Sequence, residues 1–326
     1  MALFPCSRLP SGVHCTNRRR LLVLCVCVLS GLIYFLKGKR LAAVSTLKLS
    51  EVERREPALE GEELPMKTPW GAPLVWGDSE SSAWRRDEFT HHDVRTGLAI
   101  LAVGNYNHFL HRLISSAELH FLLNLYVTYY VLTDRPRELD PPPKLGPNRQ
   151  LKVIPVAEMP GWNRLGLRRM ALLASIIGER IHLEVDFVYS IDADQEFTNT
   201  VGSEILGKLT ATLHPVFYGK PRHYYPYEKD PDSMAYVAEG EGDYYYTSEF
   251  YGGLCSEVLA MTRACSLLIL QDQERDVKAQ ELEESYLNRY LVNRRPTCVL
   301  SPEYSWWESP QVPEVPTKRI HSVSRK

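Results

Sequence analysis

The 326-residue sequence has no Asn-x-Ser/Thr acceptor, so no N-glycosylation site marks which face of a membrane it occupies. It has neither GxGxxG nor GxxxxGK[ST], which leaves dinucleotide and triphosphate cradles without support. Charge of one sign is also missing. The formal net charge is −2, which disfavours a phosphate backbone as partner. Cysteine is sparse. Of seven, Cys6, Cys15, Cys25 and Cys27 lie in or before an apolar N-terminal run, leaving Cys255, Cys265 and Cys298 for the folded part. Three widely spaced cysteines form neither a disulfide framework nor the paired spacing of a zinc site.

What remains is ordinary globular material, 44% apolar and 24% charged, enough for one large domain. Eighteen tyrosines and six tryptophans are somewhat many. Their flat faces stack on bases and sugar rings, although core filling accounts for most.

Leu21 to Leu36 carry no charge and are flanked by Arg18, Arg19 and Arg20 before and by Lys37, Lys39 and Arg40 after. As a helix this run spans about 24 Å, short against a hydrocarbon core of about 30 Å and suited to a thin, early secretory membrane. A cleaved signal peptide is the rival, with Leu41-Ala42-Ala43-Val44-Ser45 as a weak cleavage site. With basic residues on both sides, the positive-inside rule favours a cytoplasmic N-terminus only mildly. The expected layout is a cytoplasmic tail over 1–20, a signal-anchor over 21–36, a polar acidic stem over 37–65 and one globular domain over 66–326.

Within that domain, Thr96 to Val103 is a continuous apolar run, as a strand buried on both faces would be. Phe109, Leu110, Leu113, Ile114, Ala117 and Phe121 recur at helical spacing. Tyr126 to Leu132 and Leu151 to Val156 read as strands, and Leu165 to Ile181 as a helix. Phe187 to Ile191 reads as a strand running into Asp192-Ala193-Asp194. The alternation predicts an α/β fold around an open, mixed, mostly parallel sheet, preceded by one transmembrane helix. Ligands of such sheets bind beyond the carboxyl ends of strands, where the Asp pair falls.

Two aspartates separated by one residue in extended chain put both carboxylates on one side. Such a pair is costly unless a cation compensates it. Hard oxygen ligands suit Mg²⁺ or Mn²⁺, and a divalent ion between carboxylates and a diphosphate would neutralise charge on a departing nucleotide. Two solvated aspartates at a turn are the plainer reading.

The segments Thr68-Pro69-Trp70-Gly71-Ala72-Pro73, LAVGNY, SSAELHF, VTYYVLTDRP, LRRM, EVDFVYSIDADQEF, ATLHPVFYG, YPYEKDPDSMAYV, EGDYYY, FYGG, EESYLNRY and VLSPEYSW occur in this order. Together they resemble glycosyltransferase family 6, the family of the histo-blood group A and B transferases, α-1,3-galactosyltransferases and Forssman synthase. The resemblance implies a GT-A type nucleotide-sugar-binding domain in the Golgi lumen. The activity it implies is retaining transfer of a Gal- or GalNAc-type sugar from a UDP-sugar, in α-1,3 linkage, to a galactose-type acceptor on a glycolipid or glycoprotein. Asp192 and Asp194 would then hold Mn²⁺, with Ala193 between them at the donor. Leu101, Ala102 and Val103 would line the uridine pocket and Tyr106 would stack on uracil. Arg169 and Glu283 would contact the donor. His214, Phe217 and Trp162 would face the acceptor, and Glu284 would fall on the family's proposed nucleophile. Read from the residues alone, Glu284 is an acid at a helix start, where the dipole favours it.

The same resemblance exposes departures. Glu249, in Thr247-Ser248-Glu249, stands where a small residue makes room for the donor sugar, so a crowded sugar pocket is expected. Val216 is expected to narrow it further. Glu281, Leu282 and Glu283 replace Trp, His and Asp before Glu284. The resemblance implies a basic segment that closes over UDP, shorter here, in which Lys318, Arg319, Arg325 and Lys326 could still reach phosphate. These changes leave open a second reading, a member that binds UDP or glycan without transfer.

Overall fold

The structure is a computed structural model, and it describes residues 64–90, 92–157 and 166–324. The tail, the apolar run 21–36, most of the stem and Trp162 lie outside the described residues. Among the described residues no helix is long and apolar enough to cross a membrane.

The strands are β1 (Leu74–Val75), β2 (Arg95–Ala102), β3 (Tyr126–Thr133), β4 (Arg149–Pro155), β5 (Phe187–Asp192), β6 (Gln195–Phe197), β7 (Leu209–Leu213), β8 (Tyr246–Leu254), β9 (Cys298–Leu300) and β10 (Ile320–Ser322). The main helices are α1 (Glu80–Thr90), α2 (Leu110–His120), α3 (Gly166–Ile176), α4 (Cys255–Glu274) and α5 (Glu283–Asn293). Eight strands form one sheet in the order β1-β9-β7-β8-β5-β2-β3-β4. All neighbours run parallel except β8, which is antiparallel to both β5 and β7. The expected mixed, mostly parallel sheet is thus the one observed.

The reasons are local. β2 is buried at seven of its eight positions, as its unbroken apolar run requires when both faces are covered. α2 buries Leu110, Leu113, Ile114 and Ala117, a stripe at helical spacing. Gly252 and Gly253 close β8 where its neighbours come too near for a side chain. A Cβ on Gly252 would lie 2.5 Å from the Val188 carbonyl, and Gly253 holds φ at +142°. Cys255, Cys265 and Cys298 are free and buried, so they fill core.

The antiparallel strand is what assembles one edge of the sheet. Parallel β2, β3 and β5 bring their carboxyl ends together. The amino end of β8 reaches the same edge, Ile191 facing Phe250, with Ser248 and Glu249 beyond Asp192. Leu213 pairs with Tyr246, which places His214 there as well.

Candidate active site

β2 ends at Ala102, and Gly104 turns the chain at φ +61° into a short 3₁₀ segment, Gly104–Phe109. Leu101, Ala102 and Val103 are buried, whereas Tyr106 is 46% exposed. The turn is fastened to the end of β3. Asp134 accepts from the Gly104 N–H (3.0 Å) and from Asn107 Nδ2 (3.1 Å), and the Thr133 hydroxyl donates to Asn107 Oδ1. A fixed backbone edge beside an exposed ring results.

Next to it, Arg169 in the first turn of α3 gathers three oxygens around Nη1. These are Asp192 Oδ1 at 2.6 Å, Glu283 Oε1 at 3.1 Å and the Ser248 carbonyl at 3.1 Å. Burial works against the Arg169 charge, but Asp192 and Glu283 outweigh it and hold its pKa above the ordinary value. Burial pushes the Glu283 carboxyl up to about 8; Arg169 counters this, while Asp192 and Glu284 reinforce it. One guanidinium therefore serves two acids of which one tends to keep its proton.

Glu284 follows on α5. Its Oε2 accepts from the Ser248 N–H (2.8 Å) and Ser248 Oγ (3.1 Å), and its Oε1 lies 4.0 Å from His214 Nε2. The Val216 N–H donates to His214 Nδ1 (3.3 Å), so in the neutral ring the proton sits on Nε2, facing Glu284. His214 is wedged among Phe217 (4.7 Å between centroids), Trp307 (5.6 Å) and Tyr245 (5.8 Å). Leu282, at the entry to α5, holds φ +49°, a conformation a branched side chain rarely adopts and one that marks functional segments.

β5 ends at Asp192, and Ala193–Asp194 form a turn into β6. The pair is therefore not in extended chain as expected, because Gln195 must turn to pair with Ser322 of β10. Different partners meet the two carboxylates. Asp192 meets Arg169, while Asp194 Oδ2 accepts from the Ser324 hydroxyl. Among the described residues no three His, Cys, Asp or Glu gather as a metal cluster. Two hard carboxylates at a strand end still fit a divalent ion that takes its other ligands from a substrate diphosphate.

The sequence profile described as glycosyltransferase family 6 matches residues 41–326. The chain belongs to that family. Similar family-6 proteins include globoside alpha-1,3-N-acetylgalactosaminyltransferase 1 of Gallus gallus, 37% identical over 79% of this chain and 75% of that one. The histo-blood group ABO system transferase 1 of Rattus norvegicus is 38% identical over 73% and 68%, and alpha-1,3-galactosyltransferase 2 of Homo sapiens 35% over 73% and 70%. Membership makes this a glycosyltransferase-type domain of the hexosyl-transferring kind.

In this family-6 chain the sheet edge brings together Leu101, Ala102, Val103, Tyr106, Arg169, Asp192, Ala193, Asp194, His214, Phe217, Glu283 and Glu284. Two expectations change. Glu249 is 2% exposed, and its Oε2 accepts from Ser305 Oγ (2.6 Å) and Gln195 Nε2 (3.2 Å). Neighbours on a strand point opposite ways, and Ser248, not Glu249, turns to Glu284. The carboxylate is thus absorbed by hydrogen bonds and does not stand free in a sugar pocket. Val216 packs against the apolar cluster of Trp306, Trp307 and Val312. Arg319 does not reach out for phosphate. It is 2% exposed and pairs with Asp78 (2.5 Å) and Glu303 (3.7 Å), while Lys318 lies 3.5 Å over the Trp306 ring. Arg325 and Lys326 lie outside the described residues.

Sequence reasoning gave no role to Ser248, which fixes the Glu284 carboxylate, or to Ser324, which meets Asp194. A lone serine carries no signal until its partner is known.

Proposed function

We propose that this chain is a retaining transferase that moves a hexose or N-acetylhexosamine of the Gal/GalNAc type from a UDP-sugar, in α-1,3 linkage, to a galactose-type acceptor on a glycolipid or glycoprotein. The observation that carries the reading is Glu284 fixed by Ser248 beside the Arg169–Asp192–Glu283 cluster, one carboxylate held apart from the group that would grip the donor. Retention proceeds through a covalent glycosyl intermediate or by front-face attack, and a carboxylate on the face opposite the leaving nucleotide serves both. It serves as nucleophile or stabilises an oxocarbenium-like state during front-face attack.

In this reading the backbone of Leu101, Ala102 and Val103 seats uridine and Tyr106 stacks on the base. Arg169 and Glu283 orient the donor, and His214, Phe217 and Trp162 face the acceptor. Two hydrogen bonds from Ser248 keep the Glu284 carboxylate aimed, and His214 limits its swing. Asp192 and Asp194 would hold Mn²⁺, which when bound supplies positive charge to the diphosphate of the departing UDP. Residues 21–36 would anchor the chain in a Golgi membrane as a single-pass type II protein with the domain lumenal.

A second reading, UDP or glycan binding without transfer, draws on Glu249 and on Leu282 beside Glu284. UDP release from a panel of UDP-sugars with Mn²⁺, with and without galactosides, decides between them. The transferase reading expects turnover with at least one donor, lowered about 10²-fold or more by Glu284→Gln. Binding of UDP with no turnover from any donor would select the second reading.

A further inference from the structure

The loop after Phe217 encloses a cavity of about 400 Å³, within the size range of small-ligand pockets, roughly 300–1,000 Å³. Its walls carry Tyr225, Tyr227 and Tyr236 together with Arg222, His223 and Lys229, and Glu239 is the acid among them.

The cationic wall is built in. Arg222 donates from Nε to the Gly242 carbonyl (3.0 Å) and from Nη2 to the Ala238 carbonyl (3.1 Å), and its guanidinium sits 5.6 Å from the Tyr227 ring centre. Tyr227 is fixed in turn by its hydroxyl, which donates to the Tyr244 carbonyl (2.6 Å). Among the described residues no carboxylate is in ion-pair contact with Arg222 or Lys229. The acids nearby are engaged elsewhere: Glu241 with Arg289 (3.3 Å), Asp243 with Arg295 (2.9 Å), and Glu228 with the Asp230 and Gln280 N–H groups. Two cations against one acid leave the cavity positive. Among the described residues none engages the second amino group of this guanidinium, which suits it to a carboxylate.

A run of packed rings leads from the cavity lining toward the candidate site. Tyr227 and Tyr245 are 5.5 Å apart, Tyr245 and Phe217 5.3 Å, and Phe217 and His214 4.7 Å. His214 faces Glu284. Tyr245, Phe217 and His214 therefore stand in series between the cavity lining and Glu284.

We propose that this cavity binds an acidic sugar residue, a ring bearing a carboxylate, belonging to the glycan acceptor. Tyr236, the least buried of the three tyrosines, takes the ring, and Arg222 with Lys229 takes the acid. The inference rests on the transferase reading for its claim that the glycan extends to Glu284.

The full chain is tested by ligand-observed NMR with N-acetylneuraminic acid, its methyl ester and galactose as probes, and UDP with Mn²⁺ is titrated into the same samples. The acid is expected to bind at least tenfold tighter than the ester or galactose. Arg222→Gln should weaken it tenfold or more and Lys229→Gln severalfold, with UDP binding unchanged in both. Equal binding of acid and ester, no binding of the acid, or insensitivity to Lys229→Gln in a folded variant would overturn the assignment. So would complete displacement by equimolar sulfate, which would reduce the cavity to an anion site. If the acid binds as expected while UDP does not, the cavity assignment stands and the donor reading fails. If UDP binds and the acid does not, the reverse holds.

Discussion

Glu249 shows how a single side chain is decided by its partners. Its carboxylate is nearly inaccessible to water and receives the Ser305 hydroxyl and the Gln195 amide. Burying a carboxylate is expensive unless donors meet it, and the Gln195 bond also ties β8 to the start of β6, next to Asp194. Glu249→Ala should cost about 2 kcal/mol, because it strands two buried polar groups. A urea midpoint lowered accordingly would show it; an unchanged midpoint would mean the bonds contribute nothing. The sequence displays an acid at a position where a small residue is expected, but not where that acid turns. Its direction depends on Ser305, 56 residues away. Arg319 teaches the same thing: a basic residue near the chain end reads as a phosphate ligand until Asp78 and Glu303 are seen on it.

Among the elements, the parallel strands were legible because long apolar runs have few other uses. β2, β3 and β5 each show one, and each is found within a residue or two of its expected place. β6 and β10 escaped notice, since three-residue strands with polar positions have no period to read. The last helical turn, His182–Glu184, is joined to β3 and β4 by Glu184, which accepts from Tyr130 (2.5 Å), Lys152 (2.8 Å) and Arg180 (3.2 Å). Partial burial pushes the Glu184 carboxyl up, but those bonds prevail and hold it at about 2, below its ordinary 4.5. A depressed carboxyl stabilises the fold fully above the unfolded value and loses that contribution as pH falls from about 4.5 through about 2. With solvent screening, the contribution is about 1 kcal/mol. Thermal melts from pH 6 down to pH 2 should lose stability less steeply in Glu184→Gln than in the parent; identical slopes would exclude the carboxylate as a source.

At the scale of the molecule, the one antiparallel strand matters most. β8 delivers Ser248 to the edge where β2, β3 and β5 end, and Ser248 then joins two groups of residues. Its carbonyl reaches Arg169 and its N–H and hydroxyl hold Glu284. The Arg169–Asp192–Glu283 cluster and the Glu284 carboxylate are thereby tied to one residue, as preorganisation of a site would demand. The family pattern locates both groups in the sequence, and a mixed sheet is expected, but not which strand reverses direction, so their junction was invisible. Mn²⁺ with UDP at 100 times its dissociation constant should stabilise the whole domain by about 2.7 kcal/mol.

The central claim is that Asp192 and Asp194 keep their hold on a divalent ion and a nucleotide diphosphate. Calorimetric titration of UDP in Mn²⁺ tests it most directly, on the parent and on Asp194→Asn, with melting temperatures taken in metal-free buffer. The account predicts Mn²⁺-dependent binding in the parent, none in the variant, and a metal-free melting temperature equal or slightly higher in the variant as carboxylate repulsion is relieved. Undiminished binding by Asp194→Asn, or a variant that fails to fold, would contradict it.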